Sequence, residues 1–200
     1  MPSPIPPVAL GAGPGLQLNF TPFPTLTTER LLLRRLTLAD APALFTMRAD
    51  PQVMQYIPRP LAQTVAETAQ YIEVVNESAR ENERLTWGMA LRDDPAQVIG
   101  TIGFVSFKPE HFRAEVGYLL HTGWQGQGLM REALAAVVAF GFQQLGLHSI
   151  EAVLDPANVA SARLLERCGF VREGLFRENE YYNGKFLDSA YYSLLTAGTH

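Results

Sequence analysis

The sequence predicts a single mixed α/β domain built on a mostly antiparallel sheet. A strand-like run followed by two capped helices opens the pattern, and three strand-like runs joined by short turns follow it. The chain closes on two strands flanking Asn183-Gly184, the strongest short hairpin dipeptide. Two hundred residues with 47% hydrophobic and 18% charged content can bury one core, and the length favours one domain.

Residues 1 to 24 hold Pro2, Pro4, Pro6, Pro7, Pro14, Pro22 and Pro24 with Gly11, Gly13 and Gly15. That composition favours extended or mobile backbone, so it reads as an N-terminal extension, with residues 25 to 200 as the folded domain starting near Leu26. Leu31, Leu33 and Leu36 suggest a first strand. Asp40-Ala41-Pro42 then supplies an N-cap and an early-turn proline for a helix through Arg48. Residues 55 to 60 interrupt the periodicity and are expected to lie over a site. Thr64 with Glu67 reads as a capping box for a second helix to about Glu81. Residues 85 to 91, 98 to 107 and 115 to 120 read as strands, the first two joined around Asp93-Asp94-Pro95. From Met130 onward, Leu134, Val137, Val138, Gly141 and Leu145 fall on one helical stripe that Gly146 closes. A short strand over 148 to 154, a helix over 158 to 167 closed by Gly169, and the final hairpin complete the order, with about four helices in all.

The charge pattern narrows the function. A formal net charge of -4 and a pI near 5.6 lack the basic footprint of a nucleic-acid or membrane-surface protein, so any anionic ligand must be held locally. The lone Cys168 excludes an internal disulfide framework and leaves too little thiol for a zinc site; no metal is expected, and a reducing cytoplasm fits. No run of 18 or more apolar residues occurs, and the apolar piece at residues 8 to 16 has no basic residue ahead of it, so it fails as a signal peptide.

The chemistry is concentrated in Gly123-Trp124-Gln125-Gly126-Gln127-Gly128-Leu129-Met130-Arg131, between a strand ending near Leu120 and the third helix. Glycines let backbone approach a ligand, and the first N–H groups of a helix have no internal acceptor, so a pyrophosphate fits there. A tight strand-to-helix turn without a ligand is the alternative. Arg131 occupies the third-glycine position of a dinucleotide fingerprint and no Gly-Lys-Ser/Thr follows, which excludes the Rossmann and P-loop readings. At about 100° per residue, Asn158, Ser161, Ala162 and Leu165 share one helix face while Arg163 and Arg167 point away. That face can line a cofactor tunnel; a plain N-cap at Asn158 and a solvent-facing hydroxyl at Ser161 are the alternatives.

These residues resemble the GNAT family of N-acetyltransferases, in particular its branch of ribosomal-protein-alanine acetyltransferases. The family loop Gln/Arg-x-x-Gly-x-Gly/Ala is matched at Gln125 and Gly128, with Met130 in place of Gly/Ala. The likeness covers roughly residues 26 to 195, through Thr28-Glu29-Arg30-Leu31, Ala114-Glu115-Val116-Gly117-Tyr118, Asp155-Pro156-Ala157-Asn158 with Ser161, and Cys168-Gly169-Phe170. It implies a strongly twisted sheet splayed between the fourth and fifth strands, with acetyl-CoA as co-substrate received at the splay. The cofactor would lie on the main chain at Tyr118, Leu119 and Leu120, on the loop residues Gln125, Gly126, Gln127, Gly128, Met130 and Arg131, and on Asn158, Ser161 and Leu165. Arg163 and Arg167 read either as contacts to its 3′-phosphate or as surface charges.

The implied activity is acetyl transfer to a primary amine. The acceptor is a peptide or protein N-terminus, or a small amine such as a polyamine, an antibiotic or an amino-acid-like compound. A non-catalytic acyl-CoA-binding regulatory module is the reading of a different class. Leu165 stands where many members place a tyrosine that protonates the departing thiolate. Ser161 and Glu180 match positions that take part in catalysis in the resembling branch, and Glu115 is a second base candidate. A solvated hairpin strand at Glu180 and a cross-strand partner for Arg113 at Glu115 are their bland readings. His111, His121, His148 and His200 share no spacing and read as structural or solvated, and Cys168 as a buried thiol. Trp87 and Trp124 read as packing, while Tyr56, Tyr181 and Tyr182 could wall a substrate channel. A monomer or homodimer is expected.

Overall fold

The structure, a computed structural model, describes residue 16 and residues 18 to 196. The part of the expected extension up to residue 15, and His200, lie outside the described residues. In chain order the elements are β1 (Leu26–Thr27), β2 (Leu31–Arg34), α1 (Ala41–Arg48), α2 (Pro51–Met54), α3 (Val65–Arg80), β3 (Leu85–Leu91), β4 (Asp94–Lys108), β5 (Arg113–Leu120), α4 (Leu129–Gln143), β6 (Ser149–Leu154), α5 (Val159–Arg167), β7 (Val171–Tyr182) and β8 (Lys185–Leu195). The strands form one sheet in the order β1-β2-β3-β4-β5-β6-β8-β7. Every pairing is antiparallel except β5 with β6. The mixed α/β, mostly antiparallel architecture is the one the sequence predicts. The two-residue β1 shifts the count, so the expected splay falls between β5 and β6.

Strand alternation sorts side chains onto two faces. On one face Leu85, Trp87 and Met89 of β3 and Ile102 and Phe104 of β4 meet Ala133, Leu134 and Val137 of α4. Trp87 is fully buried, with its ring edge-on to Phe104 and Phe140, and its Nε1 donates to the Pro24 carbonyl at 2.7 Å. Phe20 and Phe23 join this core ahead of Leu26. On the other face, Leu36, Leu44, Met47, Ile72, Val75 and Leu119 pack beneath α1 and α3.

Local signals hold where their partners lie within a few residues. Thr64 Oγ1 accepts from the Glu67 N–H at 3.2 Å, although the Glu67 carboxylate reaches the Gln63 N–H rather than closing a full box on Thr64. Asn183 and Gly184 both take positive φ, 47° and 80°, as a tight hairpin turn requires. The single turn α2 carries no long apolar stripe and was not expected. Asp40 differs in kind. It makes no side-chain cap to α1; instead its carboxylate accepts from Arg34 Nη1 and Nη2 at 2.8 and 2.7 Å and from the Thr37 N–H at 2.7 Å.

Asp40 is 3% exposed. Burial alone would raise its carboxyl, but the Arg34 guanidinium and the Thr37 groups outweigh burial and hold it below the usual aspartate range. Such a group stabilises the fold above its ordinary pKa, and that contribution is lost as pH falls through the lowered value. Asp40→Asn should therefore lower the unfolding free energy at neutral pH by about 3 kcal/mol, the size expected when one partner of a buried pair is removed. The difference from wild type should shrink as pH falls through the lowered carboxyl pKa, as read by denaturant titrations across the acid range.

Candidate active site

Only Arg113, Ala114 and Glu115 of β5 pair with β6, opposite Ser149, Ile150 and Glu151. From Val116 on, β5 pairs with β4 alone, and main-chain groups of residues 116 to 120 that point away from β4 have no strand partner. A bulge in β4 marks the departure point. Phe104 faces Val116 and Ser106 faces Glu115, so Val105 is an extra residue, and such insertions bend a strand and increase its twist. The Val105 side chain lies over Gly117, where a Cβ would come within 2.9 Å of Val105 Cγ1. The diverging strands open a cavity of about 500 Å³, into which the structure brings Tyr118, Leu119, Asn158, Ser161 and Leu165.

At the end of the cleft, residues 121 to 128 connect β5 to α4. Gln125 Nε2 donates back to the Leu120 carbonyl at 3.0 Å, Gln127 Nε2 to the Gly123 carbonyl at 3.1 Å, and His121 Nδ1 accepts from the Gly123 N–H at 3.1 Å. Gly126 and Gly128 take φ of 74° and 77°, the left-handed region that side-chain-bearing residues avoid. Among the described residues, none of the N–H groups of residues 126 to 131 donates to a protein acceptor. Six such donors at a helix start make a cradle that would suit an anion. Met130 buries its side chain in the core at 8% exposure, which leaves its N–H available, and Arg131 is exposed on the first turn of α4.

The first strand region clamps this loop. Glu132, in the first turn of α4, accepts from Thr28 Oγ1 at 2.6 Å, from the Arg30 N–H at 2.8 Å and from Arg30 Nε at 2.7 Å. Arg30 Nη1 donates to the Gln127 carbonyl at 3.0 Å. Burial pushes the Glu132 carboxyl up, but Thr28 and Arg30 outweigh it and hold it low. The clamp accounts for Thr28 and Arg30, which the sequence marked by resemblance only.

On α5, Asn158 Oδ1 accepts from the Ser161 N–H at 3.1 Å. It is thus an N-cap on the cavity wall, and among the described residues its Nδ2 donates to no protein acceptor. Leu165 is buried while Arg163 and Arg167 are exposed, as the helical spacing predicts. Burial pushes the Tyr118 phenol up to about 12, opposed by the Ser161 hydroxyl beside it. The sequence pointed to Tyr118 for its main chain alone; its side chain became legible only when the splay placed it opposite α5. Cys168 is half-buried rather than fully buried, and burial raises its thiol against the pull of Arg131.

The two carboxylates expected near the acceptor fall in different surroundings. Glu115 is half-buried, and its carboxyl is raised by burial and by Glu151 and Glu180, against Lys108 and Arg84. Glu151 itself pairs with Lys108 at 2.7 Å and Arg113 at 3.4 Å, so Arg113 goes to Glu151 and not to Glu115. Glu180 is exposed and lines an adjoining cavity of about 370 Å³ with Tyr182 and Asp188. Tyr56 borders both cavities. Tyr181 instead stacks on Phe186 at 5.0 Å.

Comparison with known proteins agrees with this geometry. Residues 30–171 match the acetyltransferase (GNAT) domain. The uncharacterized N-acetyltransferase YoaA of Bacillus subtilis is 36% identical over 174 residues, covering 86% of this chain and 97% of the relative. The ribosomal protein uS5-alanine N-acetyltransferase of Escherichia coli is 28% identical, covering 86% and 90%. The crystal structure of a GNAT-family acetyltransferase from Bacillus anthracis superposes with a TM-score of 0.77 at 28% identity, covering 86% and 98%.

The loop geometry can be tested directly. Gly128→Val forces a β-branched residue into φ of 77°, at a cost of about 1 to 2 kcal/mol. It should weaken coenzyme A binding about tenfold or more by calorimetry while the circular dichroism spectrum is unchanged. Undiminished affinity would remove the loop from the site.

Proposed function

The chain belongs to the GNAT family of acetyltransferases, and on that premise we propose that it transfers the acetyl group of acetyl-CoA to the primary amine of a peptide or protein N-terminus. The observation that carries this reading is the free edge of β5: the main chain of residues 116 to 120 has no strand partner on the β6 side and residues 116 to 119 line the cavity, while the six N–H groups without a protein acceptor follow this edge in the chain and Glu115, the last residue paired with β6, precedes it. The diphosphate of the co-substrate fits the cradle, its amide-bearing arm fits the free strand edge and Asn158 Nδ2, and its thioester supplies the acetyl carbon.

In the transfer, the amine nitrogen bonds to the thioester carbonyl carbon, the carbon–sulfur bond breaks, the amine loses a proton and the sulfur gains one. Glu115 suits the first proton. A carboxyl raised by burial and by neighbouring carboxylates is a stronger base than a solvated one. Ser161 and Tyr118 stand at the sulfur end, where a phenol held protonated through neutral pH can donate to a thiolate. An N-terminal amine, with an ordinary pKa near 8, keeps a sizeable neutral fraction at pH 7 to 8, whereas a lysine near 10.4 would need stronger help. The relative named for alanine N-acetylation of a ribosomal protein supports the same acceptor class. Glu180 acts on Glu115 through its charge, or on the acceptor from the adjoining cavity.

Release of free thiol in the presence of amine acceptors, with the product gaining one acetyl mass, tests the proposal; binding without thiol release would leave the chain an acyl-CoA-binding module. Glu115→Gln should lower kcat about 100-fold or more with coenzyme A affinity kept. Because Glu180 raises Glu115 and Arg84 lowers it, Glu180→Gln should move the acid limb of the kcat profile to lower pH and Arg84→Gln to higher pH. A flat response of that limb to both changes would move the base elsewhere.

A further inference from the structure

Among the described residues, four cationic side chains are half-buried: Arg34, Arg48, Arg84 and Arg113. Arg34 pairs with Asp40 and Arg113 with Glu151. Arg48 and Arg84 lie within 4.0 Å of no carboxylate, and both line the cleft between β5 and β6. A partly desolvated guanidinium without an anion is unfavourable, and its five N–H donors are directed at something. Arg48 is held in place by Tyr71, whose ring centroid lies 4.1 Å from the guanidinium carbon. Stacking covers one face of the group and leaves its hydrogen-bonding edge open. Arg59, exposed, borders the same space.

A second observation is independent of charge. Thr86 is 6% exposed, its Oγ1 is buried without a hydrogen-bond partner, and it stands on the same cavity wall, as does Thr101. An orphaned hydroxyl costs free energy unless a ligand supplies the missing partner. The acids Asp155, Glu180 and Asp188 line the adjoining cavity and not this one.

We infer that the acceptor carries an anionic group, a carboxylate or phosphate, a few bonds from its amine, and that Arg48, Arg84 and the Thr86 hydroxyl receive it. The inference rests on the acetyl-transfer reading and narrows its acceptor. Glu115 takes the amine end and the guanidiniums the anionic end, so the site selects an amine with an acid beside it and repels a polyamine, whose remaining cations would meet Arg48, Arg84 and Arg59.

The test uses four tetrapeptide amides with a free N-terminus, identical except for aspartate, phosphoserine, asparagine or lysine at the first residue. Each is titrated by calorimetry into the full chain saturated with coenzyme A, and each is assayed for thiol release from acetyl-CoA. The aspartate or the phosphoserine peptide should bind about tenfold tighter than the asparagine peptide, with lysine weakest; whichever binds tighter identifies the anion. Arg48→Gln and Arg84→Gln should each erase most of that advantage while leaving the affinity for the asparagine peptide and for coenzyme A, a pattern that general damage to the fold would not give. Equal affinities, tighter binding of lysine, no binding by either anionic peptide, or an advantage that survives both substitutions would overturn the inference. Thiol release without the ranking would leave acetyl transfer standing and remove the anion site; the ranking without thiol release would do the reverse.

Discussion

The site depends on β5 leaving β6 after three residue pairs. Paired to their ends, the two strands would hydrogen-bond to each other and close the sheet where a ligand could enter. The bulge at Val105 and the missing side chain at Gly117 are the local causes of the departure. The unpaired edge is not a defect that the protein hides. Tyr118 and Leu119 from β5 and Asn158, Ser161 and Leu165 from α5 and its N-cap line one cavity, so the unsatisfied main chain and α5 border the same space.

The two ends of the cleft are fixed by pairs distant in sequence. At the cradle end, Glu132 draws Thr28 and Arg30 onto the first turn of α4, and Arg30 reaches on to the Gln127 carbonyl. Donors with no internal acceptor are ordinarily left to water at a helix start. Here the loop that presents them is held by the Gln125 and Gln127 side chains and by Arg30, so the donors stay aligned without a ligand. At the other end, α1 and α3 supply Arg48 and Tyr71 as a stacked pair on the cavity wall.

What the sequence made legible is what a few neighbouring residues decide. The glycine loop, the cap at Asn158, the apolar stripe of α4 and the Asn183-Gly184 turn were all visible, because each is set within about one helical turn or one hairpin. Asn158 shows where such reading stops. Capping and ligand binding were alternatives on the sequence; the structure shows the cap, with Oδ1 accepting from the Ser161 N–H, and among the described residues Nδ2 donates to no protein acceptor. Asp40 stands at the expected N-cap position of α1, but its carboxylate serves Arg34 and Thr37 rather than the helix, and the Arg30–Glu132 pair spans 102 positions. The same limit hid Thr86, Arg48 and Arg84, ordinary residues until strand register and helix docking set them around one cavity.

Electrostatics link Glu115 to that cavity through Arg84. Glu115 is pushed up by burial, Glu151 and Glu180, and is held down by only two cations, Lys108 and Arg84. Lys108 is already committed to Glu151, so, of the two cations that lower Glu115 among the described residues, Arg84 has no carboxylate partner of its own. On the proposed reading, an anion that settled on Arg84 would neutralise a charge that lowers Glu115, and the carboxylate would become a stronger base as the acceptor amine arrived. In the empty site the same arginine keeps Glu115 lower, which favours its ionised form and readies it for the proton. On the same reading, a charge pattern that is costly in the free protein tunes Glu115 to the presence of an anionic acceptor.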